Sequence, residues 1–278
     1  MHRQLNRPRR TRAVSSAMVV VALACIGATG WYASSDVAQA SRKGESVLMF
    51  DDFVGPAGTS PDPRYWGHAV GGGGWGNDEA QVYTDDPANS RLDGEGNLVI
   101  EARPDGSGYT SARLVTLDRF AFQYGRAEAR IKLPSGQGLH PAFWLMGTDV
   151  NRVGWPQSGE IDVIETINDA SFYHSALHGP SADGTPWEVK AEGSGNMSDD
   201  FHDYWVERSP DRIAFGIDDA VTGEFSRADL APGQEWVFDK PFSLLLNVAV
   251  GGRWPGDVGT DTTFPAAMLV DWVRVTDE

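Results

Sequence analysis

The chain reads as an all-β protein, a jelly-roll β-sandwich of two antiparallel sheets with a concave cleft, on three observations. Short apolar or alternating runs are punctuated throughout by Gly, Pro, Asn and Asp, with 32 Gly and 16 Pro in 278 residues. No stretch sustains the recurrence at three and four residues that marks an amphipathic helix. Two runs, Leu98-Val99-Ile100-Glu101-Ala102-Arg103 and Arg126-Ala127-Glu128-Ala129-Arg130-Ile131-Lys132, alternate polar and apolar residues, as strands with one buried face do. Ten or more such segments in one chain of uniform composition bury their apolar faces by packing two sheets together.

Taken in order, the first 40 residues stand outside that fold. Arg3, Arg7, Arg9, Arg10 and Arg12 form a basic head, Ala13 to Gly27 an apolar core too short to span a bilayer, and Ala38-Gln39-Ala40 a small-residue cleavage site. This is the pattern of a secretory signal cut after Ala40, so 1–40 is expected to be removed and 41–278 to form a single domain. Arg9-Arg10 leaves twin-arginine export open; Cys25, after Leu23-Ala24, fits lipoprotein processing poorly. Cys25 is the only cysteine, so the mature chain has neither a disulfide nor cysteine chemistry.

Removing the signal leaves 18 basic and 38 acidic residues, a net charge near −20. So negative a surface excludes nucleic acid and stable attachment to anionic membranes, and suits a secreted, monomeric protein with a neutral substrate. The remaining 238 residues fill one large sandwich. Beyond the two alternating runs, strands are expected at Leu139–Met146, Ser171–His178, Tyr204–Glu207, Ile213–Ile217, Phe242–Val250 and Met268–Val275.

The chemistry concentrates in Ser158-Gly159-Glu160-Ile161-Asp162-Val163-Ile164-Glu165-Thr166. Glu160 and Asp162 share one strand face, whereas strict alternation turns Glu165 into the opposite layer, where an unpaired carboxylate is costly. A β-bulge at Val163-Ile164 is therefore expected to re-aim it. Glu160 and Glu165 then stand roughly 13 Å apart at Cα, at ~3.3 Å per strand residue. Their long side chains can close that to about 5–5.5 Å, the separation of a retaining glycosidase pair, where inverting pairs need ~6.5–9.5 Å. Two carboxylates so close repel by roughly 3 kcal/mol, so one keeps a proton, expected on the acid until the nucleophile is consumed. An acidic solvent-facing strand or a cation site would share the bare spacing. The nearby Trp75, Trp144 and Trp155 favour a sugar cleft.

Other patterns carry less. Gly71-Gly72-Gly73-Gly74-Trp75-Gly76 satisfies G-x-G-x-x-G, but no helix pattern follows, which points to a mobile loop at the cleft edge rather than a phosphate cradle. The six His residues lack zinc-ligand spacing, and no G-x-S-x-G elbow offers a serine nucleophile. Asn196-Met197-Ser198 is a chance-level glycosylation sequon.

Gly159-Glu160-Ile161-Asp162-Val163-Ile164-Glu165 resembles the signature of glycoside hydrolase family 16 in the bulged form of laminarinase-like endo-1,3-β-glucanases. The resemblance extends to Gly72–Asn77, Tyr109–Leu114, Phe122–Arg130, Pro141–Trp144, Gly154-Trp155-Pro156, His178-Gly179-Pro180, Asn247–Gly252, Trp254-Pro255-Gly256 and Val270–Val275. It implies a concanavalin-A-like jelly roll and retaining hydrolysis of internal β-1,3-glucosidic bonds, with Glu160 as nucleophile, Glu165 as acid/base and Asp162 orienting the nucleophile. Trp155, Trp144, Trp75 and Trp254 would face sugar rings, Asn77 and Arg113 would hold hydroxyls, and His178 would face the leaving-group side.

The family also implies no organic cofactor and a structural Ca2+ on the convex side, at Asp52, the Gly96 carbonyl and Asp271. The sequence departs from the family pattern at His140, Arg208 and Phe215, where Trp is common, and at Thr166, with subsite affinity the property in question. The same machinery acting on mixed-linkage glucan or galactan, or transglycosylating, and a non-catalytic β-glucan-binding sandwich are the competing readings. The retained acids weigh against the last.

Overall fold

A computed structural model describes residues 45–277. The segment read as an export signal, with its cleavage site, lies outside the described residues. In chain order the strands are β1 (Val47–Asp51), β2 (Gly67–His68), β3 (Gln81–Tyr83), β4 (Ser90–Leu92), β5 (Leu98–Asp105), β6 (Gly108–Ser111), β7 (Arg113–Val115), β8 (Gly125–Lys132), β9 (Leu139–Gly147), β10 (Glu160–Thr166), β11 (Phe172–Pro180), β12 (Pro186–Ser194), β13 (His202–Arg208), β14 (Arg212–Ile217), β15 (Ala220–Ser226), β16 (Phe242–Val250) and β17 (Ala266–Thr276). A single helical turn, α1 (Val150–Val153), and a 3-10 turn at Arg227–Asp229 are the helical pieces among the described residues.

Two sheets face each other. One has seven strands in the order β12-β11-β10-β9-β16-β7-β2; the other has ten, ordered β15-β14-β13-β8-β17-β5-β6-β3, with β1 on β17 and β4 on β5. The non-sequential order is that of a jelly roll. One expectation needs correcting, because β3 and β6 pair in parallel within otherwise antiparallel sheets.

Alternation decides which side chains fill the space between the sheets. From the seven-stranded sheet come Phe143, Leu145, Ile161, Val163, Leu244, Leu246 and Val248; from the other come Ile100, Ala127, Ala129, Ile131, Val206, Phe215, Val273 and Val275. Each larger one contributes roughly 1.5–3 kcal/mol by leaving water. β16 is buried along its whole length because it is central and covered on both faces, which is why it reads as a continuous apolar run rather than an alternating one.

One strand was not anticipated and two departures prove to lie in the core. The edge strand β12, Pro186–Ser194, carries an exposed-buried alternation masked in the sequence by Gly and charged residues. Phe215 is a core residue of the ten-stranded sheet and Arg208 lies buried between the layers, so neither departure touches sugar subsites. Arg208 is tolerated there because it donates to the carbonyls of Phe122 (3.1 Å), Phe238 (2.8 Å) and Lys240 (3.1 Å) and stacks on Phe242.

Candidate active site

The acids sit on β10, third strand of the seven, between β9 and β11. Asp162 pairs with Ala176 and Glu165 with His174, so Val163 and Ile164 together oppose the single residue Ser175. This is the anticipated bulge. It leaves Ile161, Val163 and Ile164 in the core and brings Glu160, Asp162 and Glu165 to the opposite face. Ser175 donates its hydroxyl to the Val163 carbonyl at 2.7 Å, satisfying a group that the bulge removes from the ladder. Gly159, at φ 72°, turns the chain into β10 where a Cβ would lie 2.9 Å from Val237 Cγ2.

The charges around this row are unequal. Burial, and then the Asp162 charge, pushes Glu160 up to about 8. Burial, and then the Glu165 charge, pushes Asp162 up to about 6. His178 Nε2 lies 3.0 Å from Asp162 Oδ2; burial opposes its charge, but the carboxylates win and carry it up to about 10. For Glu165, burial is outweighed by the His140 hydrogen bond, Nε2 to Oε1 at 2.7 Å, and by the charges of His140, His178 and His174, which hold it below the ordinary carboxylate range. Within the pair, burial and charge therefore favour the proton on Glu160 and the ionised form on Glu165, the reverse of the placement expected for an acid/base at Glu165. The reason is the imidazole ring system around Glu165, which sequence spacing could not place. Moving that proton across the pair leaves the charge of the site unchanged.

Asp162 meets His178 at 3.0 Å, and one side-chain polar atom from each of Glu160, Asp162 and His178 lies within 4.8 Å of the other two. His178, expected on the leaving-group side, stands opposite Glu160, and His174 is the histidine across from Glu165.

The expected sugar contacts divide into two groups. Trp155, 48% exposed, lies 6.3 Å from His178 at the Glu160 end, and Trp254, 39% exposed, meets His140 and His174 edge-on at the Glu165 end. These are free faces on which the C–H side of a sugar ring can pack. Trp144 and Trp75 instead sandwich the Arg113 guanidinium, at 4.5 and 4.8 Å. Trp144 Nε1 also donates to Asn247 Oδ1 at 2.7 Å, so its ring is a positioning wall rather than an open platform. Trp75 is pinned through Nε1 to the Gly71 carbonyl at 3.1 Å, and Gly71 bridges to Tyr83, which makes the glycine segment an ordered cleft edge. Asn77 lies in this segment, its main chain bonded to Arg253 and its amide packed on Gly252. His174, Ser175 and Asn247 were not among the anticipated site residues, and His140 stood out only as a departure bearing on subsite affinity; strand register is what brings His140 and His174 to Glu165.

Residues 75–274 match the profile of Glycosyl hydrolases family 16. The chain belongs to this family. A beta-glucanase of Rhodothermus marinus is 40% identical over 230 residues, covering 77% of this chain and 80% of the relative. Among solved structures, the laminarinase catalytic domain from Thermotoga maritima superposes with a TM-score of 0.75 at 38% identity, covering 84% of this chain and 98% of that one. The endo-beta-1,3-glucanase from Pyrococcus furiosus does so at 0.76 and 37%, covering 84% and 94%. As a member of family 16 the protein is a glycoside hydrolase with the jelly-roll fold of these structures.

Proposed function

We propose that the protein is a secreted, monomeric, retaining endo-1,3-β-glucanase acting on laminarin-type glucans. The observation that carries this reading is the bulge, which sets Glu160 and Glu165 on one face of β10 between two exposed tryptophans. Substrate entry displaces the shared proton to Glu165. A Glu160 carboxylate oxygen then attacks the anomeric carbon as the glycosidic C–O bond breaks, and the leaving oxygen takes the Glu165 proton. The glycosyl-enzyme ester removes the Glu160 charge. Glu165, now a carboxylate, deprotonates a water that displaces Glu160 and restores the starting β-configuration.

The similarity to enzymes described as laminarinases and endo-1,3-glucanases supports the choice of glucan. Reducing-sugar release from laminarin by the parent, Glu160→Gln and Glu165→Gln tests it. The parent is expected to be active and both variants reduced by about 10³-fold or more. Glucan binding without release by the parent would make it a sensor instead, and an initially α-configured product by NMR would refute double displacement.

A structural Ca2+ on the ten-stranded sheet is part of the same proposal. Leu98 pairs with Val270 and Asp51 with Val273, so Gly96 and Asp52 flank Asp271 midway along β17, where β5 gives way to β1. Asp271 is pushed up by burial and then by the charges of Asp203 and Asp52, against the Arg130 charge, a clustering of acids that a cation relieves. These oxygen groups fit a hard cation held for stability, with Arg130, 3.4 Å from Asp271, as its competitor.

A further inference from the structure

We propose that His140 is a positioning residue for Glu165: its Nε2–H donates to Oε1, leaves Oε2 to meet the glycosidic oxygen, and holds the carboxylate that each proton transfer leaves behind. This rests on Glu165 serving as the acid/base. The geometry comes from register. Glu165 pairs with Ala142 on β9, so His140, two residues along, sits diagonally on the same face and reaches Glu165 at 2.7 Å. An ionised carboxylate only accepts, so Nε2 is the donor.

What His140 lacks matters equally. The ring is buried, and its Nδ1, also buried, has no hydrogen-bond partner. Glu165 is therefore the protein group to which its polar atoms are committed. A purely packing role would leave an imidazole worse off than an apolar ring. Trp254 closes over it edge-on at 5.0 Å, so the ring is held between that indole and the acid.

The other charged groups facing Glu165 are engaged elsewhere. From β11, His178 pairs with Asp162 at 3.0 Å and His174 with Glu192 at 2.8 Å. Glu160 and Asp162 on β10 repel Glu165, and Glu79, before β3, adds to the field on His140. His140 is thus the side chain bonded to the group that must lose its proton in one step and regain it in the next.

The consequence is a dependence on leaving group. When the glycosidic bond to a sugar breaks, the departing oxygen needs the Glu165 proton, and Glu165 becomes the carboxylate that His140 holds. When a dinitrophenolate departs, it needs no proton. His140→Gln is therefore expected to lower kcat/KM on laminarin by about 10- to 100-fold and on 2,4-dinitrophenyl β-laminaribioside by less than about threefold. Equal losses on both substrates, or no loss on laminarin, would overturn the proposal.

A second measurement needs neither substrate nor that variant. In an NMR titration of the His140 ring, Glu165→Gln is expected to lower its midpoint by about one unit or more. An unchanged midpoint would overturn the pairing. A parent enzyme inert on both sugars would sink the glucanase reading instead, and the titration would still decide the role of His140.

Discussion

His178 shows how a single half-buried histidine ties the charge of the acid row to stability. Its ordinary value of 6.5 is carried up to about 10 by Asp162 and the two glutamates, so its contribution is full below about pH 6.5 and is lost as pH rises toward 10. Glu160, raised from 4.5 to about 8, works in the same direction: the folded protein holds a proton that the unfolded chain releases. Glu165, held low, is opposite in sign and costs stability only on acidification. Melting temperature is therefore expected to fall as pH rises from about 6.5 to 10. His178→Asn should flatten that slope, and Glu160→Gln should melt a few degrees higher than the parent near pH 8. Calorimetry across this range checks it; three parallel curves would contradict the assignment.

At the scale of the strand, the decisive feature is the one-residue excess in β10. A bulge needs its displaced carbonyl satisfied, and the buried Ser175 hydroxyl does this for Val163 at 2.7 Å. Ser175→Ala is expected to cost about 1–2 kcal/mol by leaving that carbonyl unpaired. It should also lower hydrolysis several-fold, because the bulge is what aims Glu165. Thermal melts with initial rates measure both effects, and full activity in a destabilised variant would show that Ser175 supports the fold without tuning the site. Register explains the neighbours as well. With Glu165 against Ala142 and His174, alternation puts His140, two residues along β9, and His178, four along β11, on the cleft face.

At the scale of the molecule, the two sheets separate two jobs. The seven-stranded sheet carries the acids, while the proposed cation site lies midway along β17 in the other. Metal removal is therefore expected to lower the melting temperature, with recovery on adding Ca2+, while leaving the kcat of the folded enzyme at low temperature unchanged. A melting point indifferent to chelator would leave Asp52 and Asp271 as ordinary contacts of β17. The net charge near −20 expected after signal removal is spread over a surface that need not bind an anion, in keeping with a neutral polysaccharide.

The local pattern alone determined most of the strands, the two-layer class and the row of three acids with its bulge. Alternation and β-branching are short-range signals, and an acid out of phase has few other escapes from burial. Tertiary structure decided whatever depended on strand order. Which histidine meets which acid, the placement of Arg113 between two tryptophans, the burial of Arg208 and Phe215, and the edge strand β12 all arise from neighbours far apart in the chain. The protonation of the acid row belongs with these: a buried carboxyl takes its value from the charges packed around it, and those charges come from β9 and β11, which only the folded sheet lays beside β10.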